Sequence, residues 1–184
     1  MSKPVAVQVF ENNPNPYRVN ASQPTQPQLQ KRILDGRLFI QAPPETLWQF
    51  ITQPEALSLW NEEIAEVCVS QWFSDEEVDF VGTLRTLFLL DSDAPQTQMI
   101  TDWEPNYTLG YTTLDGFQYN GHEINLHVGL FRLYECADGT EVQWLNYVEF
   151  VDKINHPAWL NCLAKQYRRN LVYLKWQAEH ATHA

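Results

Sequence analysis

The chain has 184 residues, enough for one domain with a substantial core. Apolar residues make up 44% of it, with seven Trp, eight Tyr and nine Phe; each such ring buries about 150–250 Å², which excludes a permanently solvated tail. A formal charge of −11 excludes a nucleic-acid groove, which needs clustered Lys and Arg, and it disfavours an anionic membrane surface.

Residues 1–30 hold five Pro, five Gln and four Asn but only three charged side chains. That composition buries little surface, so an extended or disordered N-terminal arm is expected, with the alternating patch VAVQVF (5–10) able to add a strand locally. A single domain is expected over 31–184. KRILDGRLFIQA (31–42) reads as a strand with a bulge or turn at Asp35-Gly36, ended by Pro43 and Pro44. A proline suits a first helical turn, where a missing N–H costs little, and Glu45 suits the positive end of the helix dipole. PPETLWQFIT is therefore a short helix, and TQP introduces a second one, PEALSLW.

From Ile64 to Phe150 the pattern is β: IAEVCVSQWF, VDFVGTLRTLFLL, TQMITDWE, YTLGYTTL, INLHVGLFRLYE and TEVQWLNYVEF. Turn clusters separate them, including SDEE, DSDAPQ and DGFQYNGHE, which predicts antiparallel hairpins and not βαβ units. After His156-Pro157 the period lengthens. Apolar residues at 160, 163, 164, 167, 171 and 174 mark one face of a long terminal helix. The order is an α+β one: strand, two short helices, six strands, long helix.

Cys68, Cys136 and Cys162 are widely spaced and form no CxxC pair, so reduced thiols are the expectation. With no basic–apolar leader and no apolar run near the ~18 residues of a membrane span, the sequence predicts a cytoplasmic protein without stable membrane insertion.

The dipeptide Asp138-Gly139 between two alternating runs predicts a two-residue hairpin turn, since both positions tolerate positive φ. That tip pairs Phe131 with Asn146, Gly129 with Val148 and His127 with Phe150. Alternation then puts His127, Gly129, Phe131, Leu133, Val142, Trp144, Asn146, Val148 and Phe150 on an inward face. Arg132, Tyr134, Glu141, Gln143, Tyr147 and Glu149 form the wet side. His127 and Asn146 are thus polar groups on an apolar face; they bond a neighbour or a trapped water, or they orient a ligand. Gly129 would leave room beside them. The same logic turns Met99, Thr101 and Trp103 inward, with Trp159, Leu163 and Tyr167 from the terminal helix. For these aromatics core packing competes with ligand contact. Arg85 sits in an alternating strand whose facing is ambiguous, and a solvated arginine is its plainer reading.

Metal is not expected. HEINLH spaces His122 and His127 five apart in a strand pattern, which faces them to opposite sides, and a helical zinc motif needs four. The tail HATH reads as a frayed end. SDEEVD (74–79) reads as a solvated hairpin edge, and Lys165, Arg168, Arg169 and Lys175 as a solvated helix face. There is no GxSxG and no glycine-rich phosphate loop.

The element order, together with IQAPPETLWQFI, LSLWNEEIAEV, GTLRTLFLL and DGTEVQWLNYVEF, resembles the polyketide cyclase/dehydrase-like branch of the START/SRPBCC superfamily over roughly residues 31–178. The resemblance implies a helix-grip fold: a curved seven-stranded antiparallel sheet around the C-terminal helix, with an apolar cavity between them. It implies a small hydrophobic ligand (aromatic, polyketide-like or lipid-like), with cyclisation or dehydration in an enzymatic version that uses no metal or nucleotide cofactor. On that reading His127 is the acid–base candidate, and Trp103, Phe131, Trp144, Asn146, Trp159, Leu163 and Tyr167 line the ligand. Members of the superfamily share the cavity and no catalytic motif. A non-catalytic carrier therefore stays open, as does a partner-binding module acting through the terminal helix and the arm. A homodimer is also left open, and no nucleic-acid partner is expected.

Overall fold

The computed structural model describes residues 6–11, 30–71, 80–90, 94–119, 122–150 and 157–181. In chain order these form β1 (Ala6–Glu11), β2 (Gln30–Ile40), α1 (Pro44–Thr52), α2 (Pro54–Trp60), β3 (Ile64–Gln71) and β4 (Leu84–Leu89). They continue with β5 (Gln96–Glu104), β6 (Thr108–Thr113), β7 (Phe117–Tyr119), β8 (His122–Cys136), β9 (Gly139–Phe150) and α3 (Pro157–Ala181). The seven strands expected from the sequence are present, all antiparallel, and two more join them. β1 pairs with the outer edge of β2. β7 pairs with the start of β8, so the connection read as irregular is itself a small hairpin.

The sheet runs β1-β2-β9-β8-β6-β5-β4-β3. β2 and β3 are consecutive in sequence among the main strands yet lie near opposite ends of the sheet, and α1 and α2 bridge them. Proline starts both helices. Gln53, extended, ends the first by donating its N–H to Gln49 O and then caps the second. Register shifts at Ile64/Glu66, Val69/Gln71, Ile100/Asp102 and Ile124/Leu126 mark bulges; each adds local twist and bend, which curves the sheet over α3. At Asp35-Gly36 the ladder to β9 is continuous, so the bulge expected there is absent.

The long helix buries Leu163, Asn170, Leu171, Leu174 and Ala178, the predicted face extended by a turn. Its cations are engaged more than a solvated face requires. Arg169 Nε pairs with Glu62 at 2.6 Å, and Lys175 donates to Phe39 O at 3.1 Å and to Glu179. SDEEVD lies outside the described residues, as do all of HATH beyond His180 and Ala181 and most of the arm.

The β8–β9 hairpin corrects the predicted register by two residues. Its tip is Ala137-Asp138, with Cys136 opposite Gly139, Phe131 opposite Trp144, Gly129 opposite Asn146 and His127 opposite Val148. Gly139 stays in the ladder at φ 152°, against the end of β2: a Cβ there would stand 2.2 Å from Ile40 O. A slip of two preserves every face. The inward nine are all buried. The wet side is drier than expected, because Gln143 and Glu149 are buried too. They are satisfied across strands: Gln143 donates to Asp35 Oδ1 (3.1 Å) and accepts from Tyr134 OH (3.3 Å), and Glu149 accepts from Tyr147 OH and Asn125 Nδ2.

Candidate functional site

Between the sheet and α3 lies a cavity of about 80 Å³. One water needs about 10–15 Å³ of such space, so there is room for a small organic molecule. Its floor is aromatic. Trp144 stacks on Phe131 (centroids 4.8 Å apart, planes at 12°), with Trp60 edge-on at 5.7 Å and Tyr167 at 4.5 Å. Trp60 is fixed by its Nε1–H, which donates to Phe50 O at 2.8 Å. Leu57, Ile64, Leu87, Ile124, Val148 and Leu163 complete the apolar wall, and part-exposed Asn61, Glu63 and Leu89 also line it.

A polar group converges on Tyr111, in the middle of β6. Its oxygen accepts from Trp144 Nε1 at 3.3 Å, its ring meets His127 edge-on at 5.7 Å, and the Arg85 guanidinium lies over it at 4.9 Å. Burial pushes the Tyr111 phenol pKa up, opposed by Arg85. Gly129 makes this arrangement possible, since a Cβ there would stand 2.1 Å from Tyr111 Cζ. The room expected beside Gly129 is thus taken by a tyrosine ring.

His127 is 9% exposed, and its Nε2 lies 3.0 Å from Asn146 Oδ1 and 3.4 Å from Tyr167 OH. With those oxygens accepting, Nε2 carries the proton and Nδ1 is the basic nitrogen. Burial lowers the imidazole pKa; the bond to Asn146 opposes this, and the charge of Arg85 adds to it. His127 is therefore neutral at neutral pH, fit to donate a hydrogen bond or to act as a base.

Arg85 overturns its plainer reading. It is 7% exposed and faces inward, with Nε donating to Gln98 Oε1 at 2.9 Å. Burial pulls its pKa down and Tyr111 opposes, yet a guanidinium stays charged. Gln96 and Gln98 also line the cavity. On β5 the inward residues are thus Gln96, Gln98 and Ile100, while Met99 and Thr101 lie off that face. A bulge at Thr101 then returns Trp103 to the helix side, where it packs on Trp48 (4.9 Å) and Phe80 (4.3 Å), away from the cavity lining.

Of the residues expected to meet a ligand, His127, Phe131, Trp144, Leu163 and Tyr167 come together around the cavity. Asn146 stands behind His127 and reaches the cavity only through it. Trp159 lies in the first turn of α3, and its side chain lies outside the described residues. Sequence reasoning missed Trp60, Arg85, Gln98, Tyr111 and Asn170. Tyr111 was accessible, since YTLGYTTL alternates with Leu109, Tyr111 and Thr113 inward, and Trp60 is an apolar residue of the second short helix; Arg85, Gln98 and Asn170 sit where a hydrophobic-in rule places polar residues outside. Among the described residues no cluster of His, Cys, Asp and Glu could hold a metal ion, and no helix is long and apolar enough to cross a membrane.

A curved antiparallel sheet closed over a long C-terminal helix, with a lined cavity between, defines a helix-grip protein of the START/SRPBCC type. The chain belongs to the family described as polyketide cyclase / dehydrase and lipid transport, which it matches over residues 34–179. Similar solved structures include an uncharacterised protein from Rhizobium leguminosarum, at 15% identity and TM-score 0.65, covering 83% of this chain and 97% of that one. CalU16 from Micromonospora echinospora is 16% identical, with TM-score 0.58 and coverage of 94% and 83%. The Aha1 dimer from Colwellia psychrerythraea is 19% identical, with TM-score 0.54 and coverage of 80% and 96%. These likenesses concern the fold. No curated protein matches the sequence.

Proposed function

We propose that the cavity binds a small hydrophobic molecule with a flat, aromatic part. The observation that carries this reading is the aromatic floor of Trp60, Phe131, Trp144 and Tyr167, open to space that the protein's own side chains leave unfilled. Aromatic faces attract offset or edge-on rings beyond the gain from buried area alone, by about 0.5–1.5 kcal/mol per pair. Family membership supports a hydrophobic ligand.

A catalytic version of the same site has one specific support, the neutral His127 held by Asn146 at the cavity wall. A neutral imidazole can take a proton from carbon beside a carbonyl. A cavity that keeps a flexible substrate folded then favours ring closure through orientation. His127 is the base in that scheme, with Asn146 and Tyr167 as positioning residues.

Titration with 2-naphthol, a neutral bicyclic probe, followed by tryptophan fluorescence tests the binding reading. Saturable quenching is expected, together with its loss in Leu163→Trp, which fills the cavity, provided the variant still melts cooperatively. Unchanged quenching in a folded Leu163→Trp would place the site elsewhere. For the catalytic version, His127→Phe should abolish turnover of a linear poly-β-ketone while 2-naphthol still binds; retained turnover excludes His127 as the base.

A further inference from the structure

We propose that the ligand carries a carboxylate, seated on Arg85, with its apolar body on the Trp144–Phe131 floor. This rests on the binding reading above and names the chemistry of the ligand's polar end. Arg85 Nε is taken by Gln98 Oε1, and the guanidinium lies over Tyr111. Among the described residues it has no ion pair, and no acceptor meets its two amino groups. A cation withdrawn from water is costly unless an anion answers it, and here the described residues offer only an amide oxygen and a ring face. Tyr111, whose pKa burial raises, stays a neutral phenol beneath the guanidinium.

The geometry favours a carboxylate over a neutral polar group. A guanidinium with Nε occupied still presents two amino groups in one plane, matching the two oxygens of a carboxylate in a paired, charge-assisted contact. Gln98 fixes the rotation of that plane by holding Nε. Arg85 and Trp144 are both tied to Tyr111, so the charged and flat halves of the site are held in register by one side chain. An aromatic acid and a fatty acid share this chemistry.

The test compares probes of equal size and different charge on the intact wild-type chain: 2-naphthoate, its neutral counterpart 2-naphthamide, and decanoate. 2-Naphthoate should bind at least about tenfold tighter than 2-naphthamide, and Arg85→Gln should erase that preference. Arg85→Lys, which keeps the charge and loses the planar fork, should retain part of the preference. Should Arg85→Gln not fold, the wild-type pair and Arg85→Lys decide the matter. Equal binding of acid and amide by wild type overturns the carboxylate seat and leaves the hydrophobic site standing. A full preference surviving in either variant also overturns it. No binding by any probe refutes both readings together. Arg85-dependent binding of decanoate in preference to 2-naphthoate supports the seat and makes the ligand's body aliphatic.

Discussion

His127 shows what burial does to a titrating side chain. Its neighbours inside the fold are Tyr111, Tyr167, Asn146 and the charge of Arg85. Its pKa is lower in the folded protein than the ordinary imidazole value of about 6.5. As the pH falls below that value, the unfolded chain therefore takes up the proton before the folded one does. The contribution of this group is complete above pH ~6.5 and is lost progressively on the acid side. Melting curves between pH 5 and 8, in about half-unit steps, should show wild type losing stability toward acid more steeply than His127→Gln. Parallel curves would mean that the imidazole titrates normally in the fold.

At the scale of elements, β6 and β8 are joined by an unusually close fit. Gly129 faces Tyr111, and any side chain at 129 would occupy the space of the ring. Gly129→Ala should therefore destabilise by about 1–3 kcal/mol, several degrees of melting temperature for a chain of this size. In Gly129→Ala/Tyr111→Leu the loss should fall short of the sum of the single changes, because the clash and the ring it strikes are then removed together. Strict additivity would show that the alanine does its damage elsewhere. The sequence revealed much at this scale, for plain reasons. Proline and turn clusters bounded the strands, a 3.6 period exposed α3, and DG located the hairpin to within two residues. What it concealed follows from one physical fact: a binding cavity reverses the usual code. Arg85, Gln96 and Gln98 are polar and inward, so on β5 an alternation anchored on the apolar Met99 and Trp103 chose Met99 and Thr101 in place of the glutamines. Bulges add a second difficulty, since no residue type at Thr101 announces the extra position that turned the face of Trp103.

For the whole molecule, the N-terminal arm is the piece whose removal is most informative. β1 hydrogen-bonds the free edge of β2 and also touches α3, and among the described side chains the core runs from β2 onward. Deleting residues 1–28 should leave a cooperative fold, with a fall in melting temperature of less than about 8 °C, or roughly 2–4 kcal/mol at this size. A larger fall would make the arm an integral part of the domain. The deletion also uncovers the β2 edge, whose unpaired N–H and C=O groups invite pairing between copies, so size-exclusion profiles should be compared at several concentrations.

The bulge at Thr101 has a consequence for how this chain can change its length. In a regular strand, gaining or losing one codon exchanges the two faces for everything downstream, which usually destroys the sheet. Here Ile100 and Trp103 already face the same way although three positions separate them. Loss of Thr101 would restore a plain alternation with Ile100, Asp102 and Trp103 all facing as they do now, and only the bend would go. That position is the strand's expansion joint, where a one-codon deletion spares both the polar wall upstream and the tryptophan packing downstream.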